Sequence, residues 1–491
     1  MKVILVGMDG CSEGVFNRGW TPFISSLLKG HKQLDIYNDL LSRGWLEIAT
    51  GQHATMTGAL YDLPTKEKNL NWTNEFKLGD IPNLGNKVKP IWQALNENGY
   101  KVGIMNLPTT FPAPKVDGFF VSGGGGGAPV TADVQESLCY PKEIKEYLNN
   151  SGYIIDERLY QLMAEKELSS PSDIMDRLSF KNSKRTEAFI HLSKQESVDF
   201  GFVVYKTSSV FAETFYNTEL VRSANTKNAQ DTAMLDAVEK YYNNFDDEIR
   251  KLREAFPDAE IVFVSDHGST ARKYSINPNV LLNEHGLYFN EVKKSATKLL
   301  VNKIKEVIPF KLKAYLKKSS LVKYKNVGSV SFSSGTKAFC KTVGDWVHGI
   351  YIYDERFSGP VEPGEKAELV NNIVDIVNND PIYKTHNIKA VSQLEYKSTD
   401  NAIFPDVILL VENGYLTDDR VKNKLEEFKS PKVQSTLASI TKGNILNIKS
   451  HSPIFMASNE FLNRLEKLER KGDLTEVYKA ICEYFGVKIN D

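Results

Sequence analysis

Residues Val262 to Gly268 read Val-Phe-Val-Ser-Asp-His-Gly. With Ile261, the first three form an apolar, mostly β-branched run of the kind found in a strand buried on both faces. The run stops at an acid, a histidine and a glycine. A carboxylate and an imidazole at the C-terminal end of a buried strand sit where open α/β sheets place their ligands. Carboxylate oxygen and histidine nitrogen are also a common divalent-metal pair. Taken alone, Asp266-His267-Gly268 suits either a metal pair or a strand end whose acid caps the next helix.

A second half-site stands at the N-terminus. Val3-Ile4-Leu5-Val6 runs into Gly7-Met8-Asp9-Gly10, again a short buried strand ending in an acid flanked by glycine. The glycines let the chain turn tightly and bring Asp9 close to a ligand. A helix N-cap is the plainer role for one such acid. Two strand-end acids in one chain favour a shared metal site.

The chain has 491 residues, too many for one simple core. Apolar residues make up 41% and charged residues 25%, ordinary for a soluble globular protein. A net charge of −1 creates no global field to recruit nucleic acid, so no specific nucleic-acid partner is expected. A strand beginning at Lys2 leaves no room for a signal peptide. No apolar run approaches the ~20 residues that span a bilayer. Cys11, Cys139, Cys340 and Cys482 are far apart and read as lone thiols. A cytoplasmic protein is expected.

Strand and helix signals alternate through the first 120 residues. Lys89 to Asn98 reads as a helix with Ile91, Trp92 and Leu95 on one face, and Lys101 to Met105 as the next strand. This βαβ alternation predicts an α/β fold: a mostly parallel central sheet flanked by helices on both faces. The glycine run Gly123 to Gly127 reads as a loop or hinge near the site mouth. It lacks the order of a phosphate-cradling P-loop. We expect core over residues 1–125, a helical cap insertion over 126–198, and core with the metal-binding strand over 199–290. A lysine-rich amphipathic segment over 291–330 and the C-terminal part of the core over 331–491 complete the chain. Within Lys293 to Lys325, Leu299, Leu300, Ile304, Val307, Ile308 and Leu312 are spaced as on a helix. Such a basic helix packs on the body or makes weak contact with an anionic membrane surface. Near the end, Lys449-Ser450-His451-Ser452-Pro453 precedes an apolar strand, which makes His451 a third candidate ligand.

Asp9 in a Met-Asp-Gly turn, Asp266-His267-Gly268 after a strand and His451 before a late strand occur in a telling order. The chain resembles the alkaline phosphatase superfamily, and within it the type I phosphodiesterase/nucleotide pyrophosphatase branch. Asn277-Pro278-Asn279-Val280-Leu281-Leu282-Asn283 with His285-Gly286-Leu287, Gly349-Ile350-Tyr351-Ile352, Gly359 to Glu365, Pro405-Asp406 and Thr50-Gly51 carry the likeness further. The resemblance implies an alkaline-phosphatase-like core with an inserted cap. It also implies one or two divalent ions per chain, zinc first with manganese or magnesium as alternatives, and a Ser or Thr nucleophile.

Residue by residue, the resemblance implies one ion held by Asp9, Ser42, Asp266 and His267. The nucleophile position falls at Leu41, one residue from Ser42, so Ser42 is assigned with Thr50 as runner-up. Arg43 beside it suits a clamp on a phosphoryl oxygen. A second ion is expected at Glu213 and His451. Ser209 stands where the family has an Asp, so that site is altered, or a lysine such as Lys206 replaces its ion. The activity expected is hydrolysis of phosphodiester or phosphoanhydride bonds in a small nucleotide or sugar-nucleotide substrate. The alternatives are a non-catalytic or single-metal nucleotide binder, and a phosphotransferase or phosphatase acting on a glycan- or lipid-linked phosphate.

Overall fold

The computed structural model describes residues 1–40, 42–57, 59, 63–64, 72–73, 88–124, 133–157, 170–209, 229–289, 332–342, 347–393, 403–429, 447–466 and 471–489. At its centre is an eight-stranded sheet. The chain enters it through β1 (Val3–Met8) and β2 (His31–Gln33), then β3 (Val102–Leu107), β4 (Gly118–Ser122) and β5 (Cys139–Tyr140). β6 (Phe200–Tyr205) and β7 (Glu260–Val264) follow. A two-stranded ribbon of β8 (Gly268–Ala271) and β9 (Asn447–Ser450) then leads to β10 (Phe455–Ser458), the last sheet strand.

The strand order is β2-β10-β7-β1-β6-β3-β4-β5. The strands β7, β1, β6, β3 and β4 run parallel, and antiparallel strands close both edges. This is the mostly parallel α/β sheet that the sequence predicts. Apolar runs such as Val3 to Val6 and Ile261 to Val264 are fully buried, because both faces of the sheet are covered.

Alternate residues of β1 feed two different cores. Ile4 and Val6 face α3 (Pro171–Glu196) and α4 (Ala229–Ala255), where Phe189, Leu192, Val238, Phe245 and Ile249 are buried. Val3 and Leu5 face α1 (Gly44–Thr50), α2 (Ile91–Glu97) and α5 (Thr475–Tyr484), with Trp45, Ile48, Leu95, Val477 and Ile481. Ser170 starts α3 with a capping box to Asp173 and Pro171 in the first turn. A third, smaller core gathers residues from Ile276 to Tyr415, among them Val370, Ile373 and Val377 of the helix Lys366–Asn379. The lysine-rich stretch 293–325 lies outside the described residues. Among those described, no helix is long and apolar enough to cross a membrane.

Register fixes the functional rim. Gly7 pairs with Val264 on one side and Val204 on the other, and Met8 pairs with Tyr205. Asp9, Lys206 and the Ser265-Asp266 turn therefore leave the sheet at one level, at the carboxyl ends of the parallel strands. The start of α1 is pressed onto this rim: a Cβ on Gly44 would lie 2.3 Å from the Asp266 carbonyl oxygen. Gly44→Ala must push the two apart, at a cost of about 1–3 kcal/mol. Denaturant unfolding should show a lowered midpoint with unchanged slope; an unmoved midpoint would refute this packing.

Candidate metal centre and nucleophile

The rim begins with the turn after β1. Cys11 N–H donates to the Met8 carbonyl at 3.0 Å, and Gly10 takes φ 65°, a conformation that favours glycine. That turn aims the Gly10 N–H at Asp266 Oδ1, 3.2 Å away. Asp9, Asp266 and His267 are all buried, and each offers a ligand atom within 4.8 Å of the others. Two carboxylates and an imidazole are a donor set that fits a divalent cation.

Secondary contacts orient each ligand. Trp45 Nε1–H donates to Asp9 Oδ2 at 2.9 Å, and Ser208 Oγ–H donates to the Asp9 carbonyl at 2.7 Å. Asn38 donates its side-chain amide to the Asp266 carbonyl. His267 Nδ1 lies 2.7 Å from the Gly268 carbonyl. Donation there leaves Nε2 as the acceptor, the tautomer that metal ligation requires. Nε2 lies 3.5 Å from Asp266 Oδ2 and 4.0 Å from Asp9 Oδ1. Burial, and then the charge of Asp9, hold the Asp266 carboxyl well above the usual carboxylate range. A bound cation would relieve that repulsion.

The sequence reading did not find Lys449. Its Nζ lies 2.7 Å from His267 Nε2 and donates to it. β8–β9 pairing sets Lys449 opposite Ser269, so a contact across 182 residues depends on a ribbon no local pattern announces. Lys206, the lysine considered for this part, instead pairs with Asp156 at 2.9 Å.

Ser42 is buried on the loop entering α1. Its Oγ is 2.9 Å from His53 Nε2, and its N–H donates to Asp39 Oδ1 at 2.9 Å. The same His53 nitrogen is 2.7 Å from Asp39 Oδ2 and 3.8 Å from Glu47 Oε1. Burial opposes the charged His53 imidazole, but Asp39, Glu47 and Asp473 outweigh it and its pKa is raised. Glu47 is pushed up to about 8, first by burial and then by Asp39. Ser42 thus stands among three proton-exchanging groups. Two of them, Glu47 and His53, went unread in sequence, where each looks like an ordinary residue of a helix or turn.

Arg43 is buried, with its N–H on the Ala59 carbonyl at 2.9 Å. Thr50 ends α1, its hydroxyl donating to the Leu46 carbonyl. Ser209 packs against the Asp9 turn: a Cβ on Gly10 would meet its Cα at 3.4 Å. His451 does not join the Asp9–Asp266–His267 group among the described residues. It stacks on Tyr37 with ring centroids 5.1 Å apart, and its Nδ1 is 2.8 Å from the Asn38 carbonyl. Burial lowers its pKa, which favours the neutral ring. Glu213 lies outside the described residues.

The sequence matches the family model of type I phosphodiesterase / nucleotide pyrophosphatase over residues 3–436. The chain belongs to this family. It is accordingly a hydrolase acting on phosphoric ester bonds. No curated protein shows significant sequence similarity to it. Among solved structures, phosphonoacetate hydrolase from Sinorhizobium meliloti 1021 in complex with phosphonoacetate is similar, with TM-score 0.53 and 13% identity. That match covers 99% of this chain and 96% of the other. The match to human ectonucleotide pyrophosphatase/phosphodiesterase 5 has TM-score 0.44 and 11% identity, covering 100% and 96%. The first likeness supports the alkaline-phosphatase-like fold. Family membership and the buried Asp/Asp/His group together make a metal-dependent site the coherent reading.

Two outcomes follow from these charges. Lys449→Met removes a cation from the ligand nitrogen, so divalent affinity measured by calorimetry should rise roughly tenfold; unchanged or weaker binding would show that ammonium and ion do not compete. Glu47 has its folded pKa raised from an ordinary 4.5 to about 8. Its contribution to stability is full below pH 4.5 and lost as pH rises through about 8. Melting curves of Glu47→Gln should lack that loss. Parallel pH profiles in the two proteins would contradict the burial argument.

Proposed function

We propose that this protein hydrolyses phosphodiester or phosphoanhydride bonds of a nucleotide or sugar-nucleotide type substrate, with Ser42 as nucleophile. One observation carries the proposal. A buried Asp/Asp/His donor set shares its rim with a serine hydroxyl set among titratable groups. Phosphoryl transfer needs charge stabilisation and in-line positioning more than elaborate proton chemistry.

Asp9, Asp266 and His267 would hold the ion, zinc first. When bound, it supplies positive charge to the phosphoryl oxygens and acidifies the nucleophile. The chain's own groups do the rest. Asp39 accepts the Ser42 N–H and fixes the loop. Glu47, kept mostly protonated at neutral pH by burial, becomes an acceptor for the Ser42 proton as pH rises toward about 8. His53 Nε2 faces both Ser42 Oγ and Asp39 Oδ2, so it orients the hydroxyl against the Asp39 charge. Arg43 is the candidate clamp for a phosphoryl oxygen. We place the protein in the cytoplasm, on four buried cysteines held as thiols and not as disulfides.

A second reading, a non-catalytic binder, is favoured only by Lys449, whose ammonium sits where an ion's charge would be needed.

Hydrolysis of bis-p-nitrophenyl phosphate and p-nitrophenyl phosphate across zinc, manganese and magnesium tests the proposal. Ser42→Ala should keep the metal and lose roughly a thousandfold or more in turnover. Activity that survives in Ser42→Ala and disappears in Thr50→Ala would move the nucleophile. No turnover by the wild type with any metal would favour the binder.

A further inference from the structure

We propose that Lys181 and Lys206 form an anion subsite beside the metal centre, which holds a second phosphate or carboxylate group of the substrate. The proposal deepens the phosphoester-hydrolase reading and rests on it.

The middle of α3 turns a buried polar face toward the end of β6. Thr207 Oγ1–H donates to Asn182 Oδ1 at 2.6 Å, and Thr186 Oγ1 lies 2.7 Å from the Tyr205 hydroxyl. Arg185 donates to the carbonyls of Val204, Ile154 and Ile155 at 3.1–3.3 Å. Lys181 differs. It is only 5% exposed, yet its ammonium makes no hydrogen bond or ion pair among the described residues. Burial lowers its pKa to about 8, so it is still mostly charged at neutral pH.

The neighbouring acids do not settle this charge. Glu157 is held by both Arg177 Nε and Nη2. Asp156 accepts from Lys206 Nζ at 2.9 Å and from the Glu157 N–H at 2.8 Å. Asp156 and Glu157 both act on Lys181 through space, yet their hydrogen bonds are taken by Lys206 and Arg177. A largely buried lysine whose ammonium has no partner among the described residues suits an oxyanion. Two ammonium groups suit an oxyanion through charge-assisted hydrogen bonds.

Position ties this cluster to catalysis. Lys206 directly follows β6, and Ser208, two residues on, holds the Asp9 carbonyl. The glycine run also starts here, since a Cβ on Gly124 would come within 2.4 Å of Asp156 Oδ2. The cluster therefore flanks the metal centre on the β6 side of the rim, away from His267 and Lys449.

The test is calorimetry on the full-length, zinc-loaded protein with methyl phosphate, ethylene glycol bisphosphate and phosphoglycolate. The wild type should bind one of the two-anion probes about tenfold or more tighter than methyl phosphate. Which of them gains identifies the second group as phosphate or carboxylate. Lys181→Met should erase the gain while keeping methyl phosphate affinity, and removing a buried charge should not lower its melting temperature. Lys206→Met serves as the second variant and should reduce the same gain. Equal affinity for all three probes in the wild type, or a gain that persists in Lys181→Met, would overturn the subsite. Bis-p-nitrophenyl phosphate separates the two readings. A two-anion gain without ester hydrolysis removes the hydrolase reading and keeps the subsite. Hydrolysis without the gain does the reverse.

Discussion

Two carboxylates that repel each other are held together at the end of a sheet, and the functional region is arranged around them. Parallel pairing of β1 with β7 brings Asp9 and Asp266 to one rim. Both are buried, so water screens their repulsion poorly. The surroundings answer with hydrogen bonds and positive charge. The Gly10 N–H, the Trp45 indole and the Lys449 ammonium all point into the same small volume. A divalent cation does the same work with more charge in less space. This is why the donor set reads as a binding site and not as a structural accident.

The loop that carries Ser42 is coupled to that pair through Asn38. Its side chain donates to the Asp266 carbonyl, and its Oδ1 accepts the Leu40 N–H at 2.6 Å. Its backbone exchanges hydrogen bonds with His451, N–H to carbonyl at 3.0 Å and carbonyl to ring nitrogen at 2.8 Å. One buried asparagine thus sets the metal turn, the Ser42 loop and the late histidine at fixed spacing. Movement in any of them is felt by the others. This rigidity suits a reaction that depends on alignment.

The fold was legible because burial on both faces leaves a plain mark: Val3 to Val6 and Ile261 to Val264 are continuous apolar runs. The acids at their ends could be read for the same reason, since a strand that stops at a charge must stop at a rim. Nothing comparable marks Lys449 or His53. Lys449 reaches its place through an antiparallel ribbon closed over some 180 residues, and pairing partners at that distance have no local signature. His53 and Glu47 act through a helical turn whose packing against Asp39 is decided by tertiary contacts. His451 illustrates the converse. Order along the chain suggests a metal ligand, and its stacking on Tyr37 and its Nδ1 contact with the Asn38 carbonyl set the ring by side-chain geometry that order does not encode. Ser42 was reached by likeness to a family, since no local pattern singles it out.

The most direct measurement is anomalous diffraction at the zinc edge from crystals grown with the ion. The account predicts one strong peak within bonding distance of Asp9, Asp266 and His267, with Lys449 turned away from the imidazole. A peak at His451 alone, or none while Lys449 stays on His267 and turnover continues, would contradict it.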